Sequence, residues 1–243
     1  MFNANKFLVI GPLFTALLAQ AAYQHGSKNG LFFRDDKVLA YNFDNRKLEV
    51  NSTMFKLFDQ LADYWPKDLD CCIDAVLTVG DFIFFFKDDV YYILDKGNSD
   101  ESGRYRLTGP NFIFNDWNVK YVQSAGWFQA EGSDYARPTL IDDYDYYYQY
   151  SIDKITAQVT LTSSGSLEDL AYFDRLPSYF RSGGWDASIY RTDGSRRLLT
   201  IFKGKKYVEL DYNDNRNVYA YNIKELSYGY GILSNKIDAA CYG

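Results

Sequence analysis

The sequence feature that most constrains the fold of this chain is a recurring pair of short aromatic strands. The clearest copy spans residues 82–95, where FIFFF and VYYIL flank the charged step Lys87-Asp88-Asp89. Similar copies occupy residues 32–41, 139–153 and 200–211. Aromatic and β-branched runs that are broken by Gly, Asp or Lys are typical of antiparallel hairpins. The repeat therefore predicts four small antiparallel sheets.

A second repeat, the dipeptide Asp-Ala, identifies the first strand of each unit. It occurs at Asp74, Asp186 and Asp238, while Gln123-Ser124-Ala125 stands at the corresponding place in the third unit. The first unit lacks this strand, and the last Asp-Ala strand has no hairpin behind it. The C-terminal strand is therefore predicted to complete the first unit, which closes a ring and leaves no open sheet edge.

The predicted fold is accordingly all-β, a four-bladed β-propeller closed by the C-terminal strand, with short helices between the blades. The predicted blades cover residues 30–70 plus 237–242, 72–117, 119–180 and 185–235. A first helix, capped by Ser52 or Thr53, is predicted to bury one apolar face: Phe55, Phe58, Leu61 and Trp65. A second helix, starting at the S-x-x-D signal of Ser166, is predicted to carry Leu167, Leu170 and Phe173 and to stop near Pro177.

The N-terminus is predicted to be a signal peptide, residues 1–21. An apolar run of h-region length is followed by the A-x-A cleavage site Ala19-Gln20-Ala21. Residues 22–243 then form a single exported domain, and no later stretch is apolar enough to cross a membrane. In a secreted chain, Asn51-Ser52-Thr53 is the one acceptor sequence for an N-linked glycan.

Charge and composition exclude several function classes. The net charge of -6 argues against nucleic acid or an anionic membrane as a partner, because phosphates need a basic surface. The single histidine, His25, lies in the polar segment after the cleavage site, so a Ser-His-Asp triad, a zinc site and a heme ligand all lack their usual residues. No carboxylate pair stands out for glycoside hydrolysis. We therefore expect a binding protein that is not an enzyme and does not hold heme.

The three cysteines are Cys71, Cys72 and Cys241. An oxidising compartment predicts one disulfide and one thiol left over. The residues alone leave open a bond to Cys241, a vicinal Cys71–Cys72 bond and an intermolecular bridge that would link a homodimer.

The repeats resemble those of the hemopexin-like family. The similarity rests on Ile73-Asp74-Ala75-Val76, Trp185-Asp186-Ala187-Ser188 and Ile237-Asp238-Ala239-Ala240, each with its aromatic hairpin, and on Tyr64-Trp65-Pro66 before the second repeat. The single-domain layout is similar to the plant seed albumin branch of that family. The resemblance implies a propeller that is tied shut by a disulfide between its first and last blades, here Cys72 with Cys241, or Cys71 in place of Cys72.

The same resemblance implies a central channel whose mouth binds calcium, another cation or a small ligand. Asp74, Asp186 and Asp238 are the corresponding channel residues, and the missing fourth aspartate weakens a four-fold site. The alternative is that each aspartate only ties its strand to neighbouring backbone amides. At the level of function, the leading hypothesis is a channel that binds a small cationic ligand, such as a polyamine, or a metal ion. The alternative is an extracellular lectin-like, storage or defence protein that contacts protein or carbohydrate through its blade surfaces.

Overall fold

A computed structural model describes residues 29–43, 47–70, 72–128, 136–171, 173–181, 184–193, 196–211, 219–220, 224–225 and 239–242. The predicted signal peptide, His25, Cys71 and Asp238 lie outside these residues. None of the helices in the described ranges is long and apolar enough to cross a membrane.

The described chain is built from seventeen strands. The first eight are β1 (Asn29–Arg34), β2 (Lys37–Asn42), β3 (Lys47–Thr53), β4 (Ala75–Val79), β5 (Phe82–Lys87), β6 (Val90–Ser99), β7 (Tyr105–Phe112) and β8 (Ser124–Phe128). The rest are β9 (Arg137–Ile141), β10 (Tyr146–Ile152), β11 (Val159–Ser166), β12 (Ala187–Asp193), β13 (Arg196–Lys203), β14 (Lys206–Asp211), β15 (Tyr219–Ala220), β16 (Lys224–Glu225) and β17 (Ala239–Tyr242).

These strands form four antiparallel sheets, as the repeat predicted. Sheet 1 has the order β17-β1-β2-β3, sheet 2 the order β4-β5-β6-β7 and sheet 3 the order β11-β10-β9-β8. Sheet 4 has the order β12-β13-β14-β15, and β16 also pairs with β14. Strand β17 pairs antiparallel with β1, with Cys241 opposite Leu31 and Ala239 opposite Phe33. The prediction that the C-terminal strand joins the first unit is therefore confirmed.

In the described ranges three short α-helices lie between the sheets: α1 (Met54–Leu61), α2 (Ile113–Trp117) and α3 (Ser178–Arg181). The hydroxyl of Thr53 caps α1 by accepting the Lys56 amide at 3.3 Å, as the sequence predicted. The buried face of α1 includes Met54 and Phe58, whereas Phe55 is 51% exposed. The prediction for Phe55 is wrong because the buried face of α1 runs through Met54, Leu57, Phe58 and Leu61, and Phe55 lies off this face.

The second predicted helix is also broken into smaller pieces. Its capping box between Ser166 and Asp169 is present. The chain then forms two 3-10 turns, Leu167–Asp169 and Phe173–Arg175, and α3 begins after Pro177 rather than ending before it. Proline is well suited to this position, because the residues at the start of a helix have no intrahelical acceptor for an N–H group and proline has no N–H to satisfy.

Four apolar clusters of described residues join the sheets in pairs. Sheets 1 and 2 share Phe33 and Phe85, sheets 2 and 3 share Phe84 and Tyr150, sheets 3 and 4 share Ile141 and Leu199, and sheets 4 and 1 share Phe202 and Phe32. The Phe32 and Phe202 rings meet edge to face with their centroids 5.6 Å apart. Sheet 4 therefore packs against the first sheet as well as the third.

The tyrosine-rich strand of sheet 3 is part of this packing. Tyr147 packs on the sheet 4 side, and Tyr150 packs on the sheet 2 side, where its hydroxyl donates to the carbonyl of Trp117 at 2.7 Å. Tyr147 and Tyr150 therefore lie on opposite faces of sheet 3. Tyr144, however, precedes the strand and lies in the turn.

Candidate functional site

One cavity is lined by aspartates that come from all four sheets. It has a volume of about 490 Å³, and its lining residues are Asp35, Cys72, Ile73, Asp74, Asp88, Tyr121, Val122, Gln123, Asp143 and Asp186. Five of these ten residues are aspartates, and none is basic. We call this cavity the acidic pocket. It contains two of the three predicted channel residues, Asp74 and Asp186, while the third, Asp238, lies outside the described residues.

Asp74 and Asp186 occupy equivalent places at the start of an inner strand. The Asp74 amide donates to the carbonyl of Phe86, and the Asp186 amide donates to that of Phe202, both at 3.0 Å. Each bond continues the ladder between the first and second strands of the sheet. The main chain of each aspartate is therefore held by its own sheet.

Both carboxylates also cap the hairpin turn of their own sheet. Asp74 Oδ2 accepts the Asp88 amide at 2.7 Å, and Asp186 Oδ2 accepts the Gly204 amide at 2.5 Å. The two turn residues have left-handed backbones, with φ of 53° and 58°. The alternative to ligand binding that the sequence left open is that each aspartate bonds to neighbouring backbone amides, and this bond is present at both residues. It leaves each carboxylate on the wall of the pocket, since both residues are among its lining.

The third sheet is built differently. Gln123 takes the aspartate position, and its amide donates to the carbonyl of Ile141 at 2.8 Å. The Oε1 atom of Gln123 is buried and has no hydrogen-bond partner among the described residues. The hairpin turn of this sheet is capped by Asp142 instead, whose Oδ1 accepts the amides of Tyr144 and Tyr146 at 2.9 Å each.

Two lysines flank the acidic pocket without lining it. Lys87 lies 3.8 Å from the Asp88 carboxylate and also donates to the carbonyl of Cys72 at 3.3 Å. Burial lowers the pKa of Lys203, and the nearby carboxylates of Asp145 and Asp186 partly oppose this shift. Counted over the described residues, two ammonium groups beside five carboxylates give the region an excess of negative charge.

The described residues do not form a ready cage for a metal ion. Within the described ranges there is no group of three or more His, Cys, Asp or Glu side chains that could hold one. Asp74 and Asp186 each use one carboxylate oxygen on a turn amide. A calcium ion takes six to eight oxygen ligands, so these side chains do not fit a calcium site by themselves.

Cys72 is disulfide-bonded and exposed at the rim of the acidic pocket. Its amide donates to the carbonyl of Asp35 at 3.0 Å, which fastens it to the first hairpin turn. Cys71 lies outside the described residues, and so does the side chain of Cys241. Asn51 is exposed on β3, the outer strand of sheet 1.

Sequence reasoning did not single out the turn aspartates Asp35, Asp88 and Asp143 as site residues. In the sequence these three aspartates differ from other aspartates only in that they lie in the charged turn between the two aromatic strands of a hairpin. Because aspartate is common in turns for purely local reasons, this signal could not separate a pocket wall from an ordinary turn.

Comparisons with known proteins identify the fold. No family model matches the sequence, and no curated protein matches it. Solved structures do match. The hemopexin fold protein CP4 from cow pea superposes with a TM-score of 0.60 at 17% identity, covering 87% of this chain and 94% of that one. A 2S albumin seed protein from Dolichos gives 0.62 at 17% identity, with coverage of 85% and 92%.

A third structure, a plant lectin with two metal binding sites from Cicer arietinum, superposes with a TM-score of 0.60 at 16% identity, covering 85% of this chain and 92% of that one. The chain therefore has the single-domain hemopexin fold, as its repeats predicted.

Proposed function

We propose that this chain is a non-enzymatic binding protein that holds a small organic cation in the acidic pocket. The observation that carries the proposal is the meeting of five aspartates from four sheets around one cavity of about 490 Å³. A cleft lined by one sign of charge raises the local concentration of the opposite ion. An amine with several ammonium groups matches this arrangement because it can contact carboxylates on different sheets at once.

An organic cation fits the pocket better than a chelated metal ion. The wall includes Ile73 and Val122, and the exposed ring of Tyr121 stands beside them. Such a wall favours a ligand that carries methylene groups between its charges. The carboxylates are spread over separate turns, which suits separated ammonium groups.

We also propose that the four sheets are the blades of a closed propeller and that the acidic pocket is the mouth of its channel. The inner strands support this, because β4, β8, β12 and β17 are neighbours in cyclic order. The pairing of β17 with β1 is further support, since it joins the C-terminal strand to the first sheet. The predicted signal peptide places the protein outside the cell in this proposal.

A second candidate function is carbohydrate binding on the blade surfaces. It is favoured by a fold neighbour described as a plant albumin showing hemagglutination and by exposed aromatic rings on this chain. Tyr144, 74% exposed, follows Asp143 of the pocket wall, and Tyr64 and Phe114 are also exposed. Sugar rings stack on such side chains, so a hemagglutination assay with sugar competitors tests this candidate. Storage and defence roles would use the same surfaces.

For the disulfide, we propose that Cys72 is bonded to its chain neighbour Cys71. The Cys72 amide meets Asp35, whereas Cys241 lies opposite Leu31, four residues further back along β1. That offset is roughly 13 Å along an extended strand, but a disulfide needs Cα atoms within about 7 Å. Non-reducing peptide mapping is expected to give one peptide with an internal Cys71–Cys72 bond and an alkylatable Cys241. A peptide cross-linked to Cys241 would refute this pairing.

A thermal-shift screen at low salt tests the organic-cation proposal. The additives are spermine, calcium chloride, EDTA and heme. Spermine is expected to raise the melting temperature, since a ligand at 100 times its Kd adds about 2.7 kcal/mol of stability. For a domain of this size that is a shift of roughly 5–10 °C. No shift with spermine overturns the proposal, and a calcium shift that EDTA reverses would replace the organic cation by a metal ion.

A further inference from the structure

Two equivalent places in the fold expose a phenylalanine ring, Phe55 on α1 and Phe114 on α2. Each of these helices begins directly after the outer strand of a sheet, β3 or β7. The first helical residue, Met54 or Ile113, is fully buried, whereas the phenylalanine that follows it is 51% exposed in α1 and 63% exposed in α2. The exposed ring is therefore repeated along with the sheets.

A main-chain hydrogen bond joins the start of each helix to an exposed turn aspartate. The Met54 amide donates to the carbonyl of Asp36 at 2.8 Å, and the Ile113 amide donates to that of Asp89 at 3.0 Å. Asp36 and Asp89 are both exposed, and neither lines the acidic pocket. The bond brings the turn aspartate beside the residue that precedes the exposed ring, so a ring and a carboxylate recur together at both places.

Sheet 3 has the same main-chain bond without the ring. The Leu167 amide donates to the carbonyl of Asp145 at 2.9 Å, and Leu167 is buried like Met54 and Ile113. The residue that follows it is Glu168, which is exposed. A glutamate at this position leaves the main-chain bond in place, so the fold does not require an aromatic residue there. The two phenylalanines therefore need a reason other than the architecture of the sheets.

Each ring has polar surroundings. Phe55 is followed by the exposed Lys56 and shares its helix with the exposed Asp59, and Phe114 is followed by the exposed Asn115. This is not the large contiguous apolar patch that marks a protein interface. It matches a sugar, because the C–H groups on one face of a pyranose pack on an aromatic ring while its hydroxyl groups bond to carboxylate, amide and ammonium groups. The net charge of -6 disfavours acidic sugars.

We propose that this pairing of an exposed phenylalanine with a turn aspartate is a binding site for neutral carbohydrate, formed once at the start of α1 and once at the start of α2. The ring stacks on the sugar, and the carboxylate accepts hydrogen bonds from its hydroxyl groups. The inference is independent of the acidic pocket. It rests on the second candidate function, carbohydrate binding, and adds the places, the number of sites and the class of sugar. A pyranose with mostly equatorial hydroxyl groups is preferred, because its axial hydrogens form a flat C–H face.

Isothermal titration calorimetry with cellotetraose and lactose tests this assignment, and sorbitol is the control ligand because it carries hydroxyl groups without a sugar ring. The first site is removed by Phe55→Ala. The second is removed by the double change Phe112→Ala and Phe114→Ala, since Phe112 is also 59% exposed directly before α2. All three rings are exposed, so alanine should leave the fold intact, which circular dichroism checks. Tyr144→Ala is the matched control, because it removes a ring that is 74% exposed in the turn of sheet 3.

The wild-type protein is expected to bind two molecules of cellotetraose or lactose per chain and no sorbitol. Each site variant should bind one molecule, because truncating an aromatic anchor weakens its own site about 30-fold. The variant that combines all three changes should bind none, and Tyr144→Ala should keep both sites. Asp89→Ala should weaken one of the two sites about 10-fold, as for the loss of a hydrogen bond to a charged group.

Two failures are distinguishable, since hemagglutination reports carbohydrate binding anywhere on the chain. If the wild-type protein neither agglutinates red cells nor binds these sugars, the second candidate function and this inference fall together. If it agglutinates cells but binds neither sugar, or if the variant without the three rings binds as the wild-type protein does, only this inference is overturned. The same holds if Tyr144→Ala abolishes binding, or if sorbitol binds as tightly as the sugars, because ring stacking would then play no part.

Discussion

Replacing Asp74 by asparagine and by alanine separates its two roles, the turn cap and the pocket charge. Its Oδ2 accepts the Asp88 amide at 2.7 Å. Asparagine keeps an acceptor in this place and loses only the charge assistance, so Asp74→Asn should lower the free energy of unfolding by about 1 kcal/mol. Alanine leaves the amide without this partner and should lower it by about 1.5–3 kcal/mol, the range for hydrogen bonds to charged groups.

The effect on ligand affinity should be similar for both variants, because each removes one carboxylate from the pocket. At a separation of roughly 6 Å and an effective dielectric constant of about 40–80, one unit charge contributes about 0.7–1.4 kcal/mol to the attraction. Spermine affinity is therefore expected to fall about 3- to 10-fold in both variants. Urea unfolding measures the stability of each protein, and isothermal titration calorimetry measures the affinity.

Asp100→Asn is the matched control for this pair. Asp100 is exposed, caps backbone amides of its own loop through Oδ1 and does not line the pocket. It loses the same unit of charge, yet its variant should bind spermine as the wild-type protein does, because salt screens distant exposed charges. If Asp100→Asn weakens binding as much as Asp74→Asn, the attraction comes from net charge and the reasoning is refuted.

Other predictions concern the core, the alkaline limit and the surface. Trp185→Phe should lower the free energy of unfolding in urea by about 1 kcal/mol more than Trp65→Phe does. Of these two buried indoles, Trp185 donates its N–H to a carbonyl at 2.8 Å, whereas that of Trp65 has no partner among the described residues. Equal losses would contradict this. Burial, and then the bond to Asp68, raise the pKa of Tyr92 above its ordinary value. The folded state therefore holds the Tyr92 proton more tightly than the unfolded state does. The free energy of unfolding should keep the whole contribution of this group below about pH 10 and lose it as the pH rises further. The decline should be less steep in Tyr92→Phe, and identical pH profiles for the two proteins would contradict the assignment. Expression in a glycosylating host should add one glycan at the exposed Asn51, and mass spectrometry of the intact protein would refute this if the mass is unshifted.

Much of the fold could be predicted because its determinants are local and repeated. An aromatic strand, a charged turn and a second aromatic strand specify a hairpin wherever they occur, and β5 with β6 obeys this rule. The pairing of β17 with β1 could be predicted because the first and last units are incomplete in complementary ways. The cap at Thr53 is equally local, since one hydroxyl satisfies an amide three residues away.

The acidic pocket could be predicted only in part. The Asp-Ala motif marks Asp74 and Asp186, but Asp35 and Asp143 join them through packing between sheets that no sequence pattern displays. The reason why sheet 3 can do without an aspartate at position 123 was also hidden. Its hairpin turn is long enough to contain its own cap, Asp142, and from the sequence alone Gln123 looked like a defect in a ring of aspartates.

A crystal structure of the protein grown with spermine would show directly whether an organic cation occupies the acidic pocket. We expect density for the amine inside the acidic pocket, with ammonium groups at hydrogen-bond distance from the carboxylates of Asp74 and Asp186. Density for the amine on another surface, with the acidic pocket filled by water alone, would contradict it.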